Sequence, residues 1–163
     1  MSQPVSLVTV PKKNLQGTLI LFSFIVIGIS LLMVAAVIFI QLQGPLAPEL
    51  KKYHTAFIWA MAALSFICLF AAKRMFSKRI ADAKKTLNPL NEKLNQHRTA
   101  LIRFLVICEM PVLLSIILFI FTGNFVFQLY AAILLGFMLA VAPIPRRVIA
   151  ELELDEQQQK ELE

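Results

Sequence analysis

Apolar residues are gathered into four long runs that polar segments separate. The runs cover Thr18–Ile40, Thr55–Ala72, Leu101–Phe121 and Phe125–Ala142. Each run is about as long as the roughly 20 apolar residues that a helix needs to cross a bilayer. The pattern therefore predicts an all-α protein, a four-helix transmembrane bundle made of two hairpins.

The polar segment between the second and third runs, residues 73–100, has a helical periodicity of its own. Its apolar residues recur at alternating intervals of four and three: Phe76, Ile80, Ala83, Leu87, Leu90 and Leu94. Asn88-Pro89 interrupts the series with residues typical of a helix start. The segment is expected to form a short antiparallel helical stalk, in which one helix ends near Thr86 and the next begins at Pro89. A solvated basic loop is the alternative.

Charge orients the chain and narrows its partners. The sequence is 58% hydrophobic with a formal net charge of +6, and it leaves no stretch for a second domain beside the single transmembrane domain, residues 1–163. All but Lys51 and Lys52 of its 16 lysines and arginines fall on one side of the predicted spans. Such residues mark cytoplasmic loops. The prediction is a multi-pass protein of the cell (inner) membrane with both termini cytoplasmic.

The same basic residues indicate lipid contacts and argue against nucleic acid. They lie next to the apolar runs, where they meet headgroups. We expect Lys73, Arg74, Lys78 and Arg79 to contact anionic lipid headgroups.

The cytoplasmic tail, residues 146–163, reverses the charge. It carries Glu151, Glu153, Asp155, Glu156, Glu161 and Glu163. Val148, Ile149 and Leu152 suggest that the fourth helix extends a turn or two past Pro145. The tail either docks onto the basic stalk or serves as a frayed solubilising segment, since exposed ion pairs stabilise by only about 0–1 kcal/mol each.

Glu109 is the single carboxylate within the four runs, and Pro111 follows it. At about 1.5 Å per residue it lies roughly 12 Å beyond Leu101, where an ionised carboxylate is costly. The neutral acid is therefore expected to donate a hydrogen bond. Candidate partners are the carbonyl freed by Pro111 and the side chains of Ser30, Ser65, Gln128 and Tyr130. Glu109 either ties helices together or handles a proton or ligand.

Small residues recur along the fourth run. Ala132, Gly136 and Ala140 form a ridge that lets another helix approach closely. The ridge predicts helix packing, either within the bundle or in a dimer.

The sequence lacks the motifs of catalysis. It has no phosphate-binding glycine loop, no metal-binding spacing, and no second catalytic group near Glu109. We therefore expect no enzyme activity, no cofactor and no metal. The leading hypothesis is a scaffold or accessory subunit that binds a membrane or cytoplasmic partner or a second copy. The alternative is a small oligomeric transporter or proton-coupled carrier that uses Glu109.

One block resembles a known kind of protein. Ile107-Cys108-Glu109-Met110-Pro111-Val112-Leu113, leading to Thr122-Gly123-Asn124, resembles small four-span bacterial membrane proteins. The resemblance covers spans three and four, under half the chain. It implies a four-span fold and carries no activity, because none is established for that group.

Overall fold

The computed structural model describes residues 9–85 and 90–154, and these are almost wholly helical. The α-helices are α1 (Thr9–Gln43), α2 (His54–Lys85), α3 (Leu90–Thr122), α4 (Phe125–Leu139) and α5 (Pro145–Leu152). A short 3-10 helix, Pro48–Tyr53, leads into α2. The prediction of an all-α chain is confirmed across these residues. Asn88-Pro89 and the tail beyond Leu154 lie outside them.

The helices have the length and apolar surface of membrane spans. Three of them, α1, α2 and α3, are long and apolar enough to cross a bilayer, and α4 with α5 makes a fourth if that bent pair is counted as one span. Large apolar side chains such as Phe24, Leu31, Phe66 and Leu129 are mostly exposed. Soluble proteins rarely expose contiguous apolar surface on this scale. The chain is compatible with a multi-pass membrane protein.

Helix α3 occupies the centre of the arrangement. Its buried side chains recur every three or four residues, as in Leu101, Leu105, Cys108 and Val112, so one broad face is covered. The helices α1, α2 and α4 all pack against it. By contrast, α1 and α2 scarcely touch each other. The two helices of the expected first hairpin therefore pack little against each other, because α1 and α2 each bury their apolar face on α3.

One end of the bundle is closed by two tight turns, and we call it the loop end. The N–H groups of Leu46 and Ala47 donate to the carbonyls of Ile120 and Phe121, at 3.1 and 2.9 Å. These carbonyls lie in the last turn of α3, where no helical partner exists for them. Gly123 then adopts a positive φ of 67° and donates to the Phe119 carbonyl. The loop after α1 therefore caps α3.

The chain bends sharply after α4. The axes of α4 and α5 differ by 69°. Ile144 is extended (φ −72°, ψ 138°) between Pro143 and Pro145. Proline disfavours helical conformation in the residue before it. The prediction that the fourth helix extends past Pro145 is therefore wrong: the chain turns and starts a separate helix.

A second apolar core lies at the opposite end of the bundle, which we call the polar end. Helices α1, α2, α3 and α5 all contribute to it, together with the residues that follow α5. Its members include Leu15, Ile80, Ala83, Leu94, Val148, Leu152 and Leu154. Val148 and Leu152 are almost completely buried although α5 has only eight residues. The short helix is thus held by its apolar face against the extended ends of α2 and α3.

Candidate functional site

Glu109 lies at the flank of the buried face of α3. Its side chain is half-buried, and its neighbours Cys108 and Val112 are fully buried. It makes no side-chain hydrogen bond or ion pair with the residues that the structure describes. Pro111 is buried within the helix, and α3 runs through it from Leu90 to Thr122.

The predicted partners of Glu109 have other contacts. Ser30 donates to the Val26 carbonyl in its own helix at 2.8 Å. Gln128 donates through Nε2 to the Met33 carbonyl at 3.0 Å, which links α4 to α1.

The remaining two candidates do not reach the carboxylate either. Ser65 is buried, and its hydroxyl has no hydrogen-bond partner among the described residues. Tyr130 is half-buried against the apolar core that surrounds α3. The four side chains are therefore not brought together around Glu109.

The small-residue ridge of α4 faces outwards. Ala132, Gly136 and Ala140 are all exposed. A Cβ built on Gly136 would meet nothing within 4 Å. Since the ridge packs against no described helix of this chain, its use in a dimer stays a prediction.

A cluster that the sequence analysis did not identify lies at the polar end. His97 of α3, together with Arg147 and Glu151 of α5, forms what we call the polar latch. Glu151 Oε2 lies 2.9 Å from His97 Nε2, and Glu151 Oε1 accepts a hydrogen bond from Arg147 Nε at 2.6 Å. The side chain of His97 is only 3% exposed and that of Glu151 is 21% exposed. One carboxylate thus holds both a buried imidazole and a guanidinium.

The electrostatics of Glu151 follow from these contacts. Burial by itself raises the pKa of this carboxyl, but hydrogen bonds from His97 and Arg147, together with their charges, outweigh burial and lower it. Glu151 is therefore an ionised acceptor at neutral pH. The carboxylate stabilises the docked position of α5.

The local sequence explains the position of His97 in the polar latch, but not that of its partner on α5. His97 falls in the buried series of α3, between Leu94 and Leu101, so it occupies a core position. The ring of Phe76 packs edge-on against it at 5.9 Å between centroids. A histidine in a core series requires a polar partner. That requirement was the available signal, but the partner's identity depends on the bend before α5, which the periodicity did not predict.

A second ion pair ties the end of α5 to α2. Lys84 Nζ lies 2.7 Å from Glu153 Oε1, with the side chains 33% and 72% exposed. The hydrogen bond and charge of Lys84 lower the pKa of Glu153. Of the two alternatives for the acidic tail, docking holds for Glu151 and Glu153. The other four acidic residues lie outside the described part of the chain.

Beside the latch a groove of about 520 Å³ opens between α2, α4 and α5. One part is apolar and aromatic, formed by Phe66, Leu69, Phe70, Phe137, Ala140 and Val141. The other part carries Lys73, Ser77, Arg147 and Glu151. We call it the α2–α4 groove.

Within residues 9–85 and 90–154, no group of three or more His, Cys, Asp or Glu side chains is placed to hold a metal ion. Cys68 and Cys108 are free thiols. No family model, curated protein or solved structure matches the chain. The resemblance to small four-span membrane proteins accordingly stays a prediction.

Proposed function

We propose that the chain is a four-span protein of the cell membrane with its polar end and both termini in the cytoplasm. Charge supports this topology. Lys73, Arg74, Lys78 and Arg79 are exposed at the polar end, where α2 continues beyond its apolar run. At the loop end, Trp59 and Tyr53 are 72% and 51% exposed, as expected for aromatic side chains at headgroup level.

We infer that its role is that of a non-enzymatic scaffold or accessory subunit. The observation that carries this proposal is the closure of the polar end by α5: a second apolar core lies beneath, and the polar latch fixes the helix from the side. A rigid, charged platform at the membrane surface suits protein binding. A frayed solubilising tail would not give a partner such a surface.

The stalk is part of the same proposal. The ends of α2 and α3 bury Ile80, Ala83, Leu90 and Leu94 against each other and against α5, while the opposite faces carry exposed charges. A partner would meet a surface with a fixed shape rather than a flexible loop. This pre-organisation lowers the entropic cost of binding.

The transporter alternative draws less support. A carrier that uses Glu109 needs polar groups or water facing the carboxylate across the bundle. The buried residues beside it, Leu105, Cys108 and Val112, are apolar or nearly so. Neither Ser30 nor Gln128 is directed to it, since both donate to backbone carbonyls.

Two measurements on one set of variants separate these roles. The native complex is extracted in mild detergent, and its mass is compared for the wild type, Leu152→Ala and Glu109→Gln. The side chain of Leu152 is buried on the inner face of α5. Its truncation should therefore detach α5 from the polar end and dissociate the partner. Glu109→Gln should leave the complex intact.

The same purified proteins are then placed in liposomes that contain a pH-sensitive dye. The scaffold role predicts no proton or solute flux that depends on Glu109. A flux that Glu109→Gln abolishes, together with a mass that equals one copy or a whole number of copies of the chain, would establish the transporter instead.

A further inference from the structure

We propose that the α2–α4 groove binds one anionic glycerophospholipid from the cytoplasmic leaflet. The proposal relies on the proposed topology only for the choice of leaflet. It is independent of the scaffold role.

The walls of the groove change from apolar to polar in the same direction. Along α2 the lining residues Phe66, Phe70, Lys73 and Ser77 follow one helix face over about 16 Å. On the other wall, Phe137 of α4 gives way to Arg147 and Glu151 of α5. An amphiphile with one apolar and one charged end matches both walls at once.

The bend before α5 creates this gradient. Because α5 turns by 69° instead of continuing α4, it brings Arg147 over the polar part of the groove. Ala140, the small residue at the end of α4, leaves space below it. The concavity thus begins among lipid-exposed aromatic side chains and ends at the charged surface.

Charge selects an anionic occupant. Glu151 accepts hydrogen bonds from His97 and Arg147 through its two oxygens, and the groove keeps a net positive charge because Lys73 and Arg147 face this one carboxylate. Arg147 uses Nε for that contact and stays 41% exposed, and Lys73 has no ion pair with a described residue. A phosphate with no adjacent ammonium group would meet both cations. The ammonium of phosphatidylethanolamine would be repelled by Lys73 and Arg147, and Glu151 would offset only part of this repulsion because both of its oxygens already accept hydrogen bonds.

The size of the groove fits part of a lipid. Its volume of about 520 Å³ lies within the range of about 300–1,000 Å³ that is usual for small-ligand sites. A headgroup and the beginning of one chain would occupy it, and the rest of the molecule would stay in the bilayer. A soluble anion would leave the aromatic part unfilled.

The test titrates the purified, delipidated chain with phosphatidylglycerol or phosphatidylethanolamine of identical chains and counts bound lipids by native mass spectrometry. We expect one phosphatidylglycerol to bind several-fold more tightly than phosphatidylethanolamine. Lys73→Gln should weaken it by about fivefold, the effect of one cation near the membrane surface. Lys78→Gln removes an equal charge from α2 outside the groove and should have little effect. Ala140→Phe fills the apolar part without changing charge and should also abolish the preference.

Three results would overturn the site. They are equal affinity for the two lipids, equal weakening by Lys73→Gln and Lys78→Gln, and undiminished binding in a folded Ala140→Phe protein. The second result would mean diffuse attraction to the basic surface. Because no partner protein or membrane topology enters the measurement, failure here leaves the scaffold proposal standing, and loss of the native complex would not affect the lipid result.

Discussion

At the residue scale, the polar latch is the contact whose loss should cost most at the polar end. Glu151→Ala leaves the buried His97 without its acceptor. An unsatisfied buried polar group costs about 1–3 kcal/mol. We expect the free energy of unfolding, measured by SDS titration in detergent micelles, to fall by about that amount.

Lys84→Gln is the matched control, because it removes a more exposed ion pair that joins α2 to the end of α5. It should barely change the free energy of unfolding. Equal effects of the two variants would contradict a special role for the latch.

The latch also makes stability depend on pH. The pKa of Glu151 is lowered in the folded chain, so the folded state is stabilised when pH exceeds the unfolded pKa, about 4.3 for an ordinary glutamate. The stabilisation should be lost as pH falls from there through the folded pKa. Thermal melts in detergent between pH 7 and 3 should show this loss in the wild type. In Glu151→Gln the acid part of the curve should be flatter, and an unchanged acid slope would contradict the assignment.

The residues also show what sequence could and could not reveal. The apolar series of α3 included His97, so a buried histidine could be anticipated from its neighbours Leu94 and Leu101. The chemistry of Glu109 is unusual for its depth, yet Ser30 and Gln128, two of its four proposed side-chain partners, donate to backbone carbonyls instead. A side chain's type is visible in sequence, but its partner depends on packing between distant segments.

At the scale of turns and helices, two features of the structure require glycine at position 123. Its φ is 67°, and a Cβ at this position would lie 3.3 Å from Cβ of Pro45. A left-handed conformation costs a non-glycine residue about 1–2 kcal/mol. Gly123→Ala should lower the free energy of unfolding by at least that amount.

Gly28→Ala provides the comparison for that experiment. A Cβ at Gly28 meets nothing within 4 Å, and alanine favours helix by about 1 kcal/mol over glycine. Gly28→Ala should therefore leave the free energy of unfolding unchanged or raise it. A similar loss in both variants would mean that the turn is not specially constrained.

The docking of α5 can be tested by proteolysis. Leu152 is 1% exposed, and truncating a buried leucine costs about 2–5 kcal/mol. Leu152→Ala should therefore free α5 and speed tryptic cleavage after Arg147, measured by mass spectrometry of the fragments. Leu139→Ala, at a site 50% exposed on α4, should leave the rate unchanged. Wild-type cleavage as fast as in Leu152→Ala would show that α5 is not docked.

The elements were predictable where their cause is local. The apolar runs located the helices α1 to α4. The bend before α5 was misjudged, because Val148, Ile149 and Leu152 continue a helical pattern across Pro143 and Pro145. Periodicity says which face of a helix is apolar. It does not give the angle to the preceding helix.

At the scale of the whole molecule, packing follows the central helix rather than chain order. The four runs suggested two hairpins, but α1 and α2 pack separately against α3. Helices in a bilayer gain little from apolar burial alone, so close packing and caps decide which neighbours meet. This explains why the long apolar helices could be predicted from the sequence and their neighbours in the bundle could not.

The orientation of the molecule is tested most directly by reporters placed at two positions. A reporter that is active only in the periplasm and one that fluoresces only in the cytoplasm are each fused after Glu163 and inserted near Asn88. The proposed topology predicts cytoplasmic signal from both positions, because it places the basic polar end in the cytoplasm. A periplasmic signal from either position would contradict the four-span topology, and with it the placement of the platform at the cytoplasmic surface.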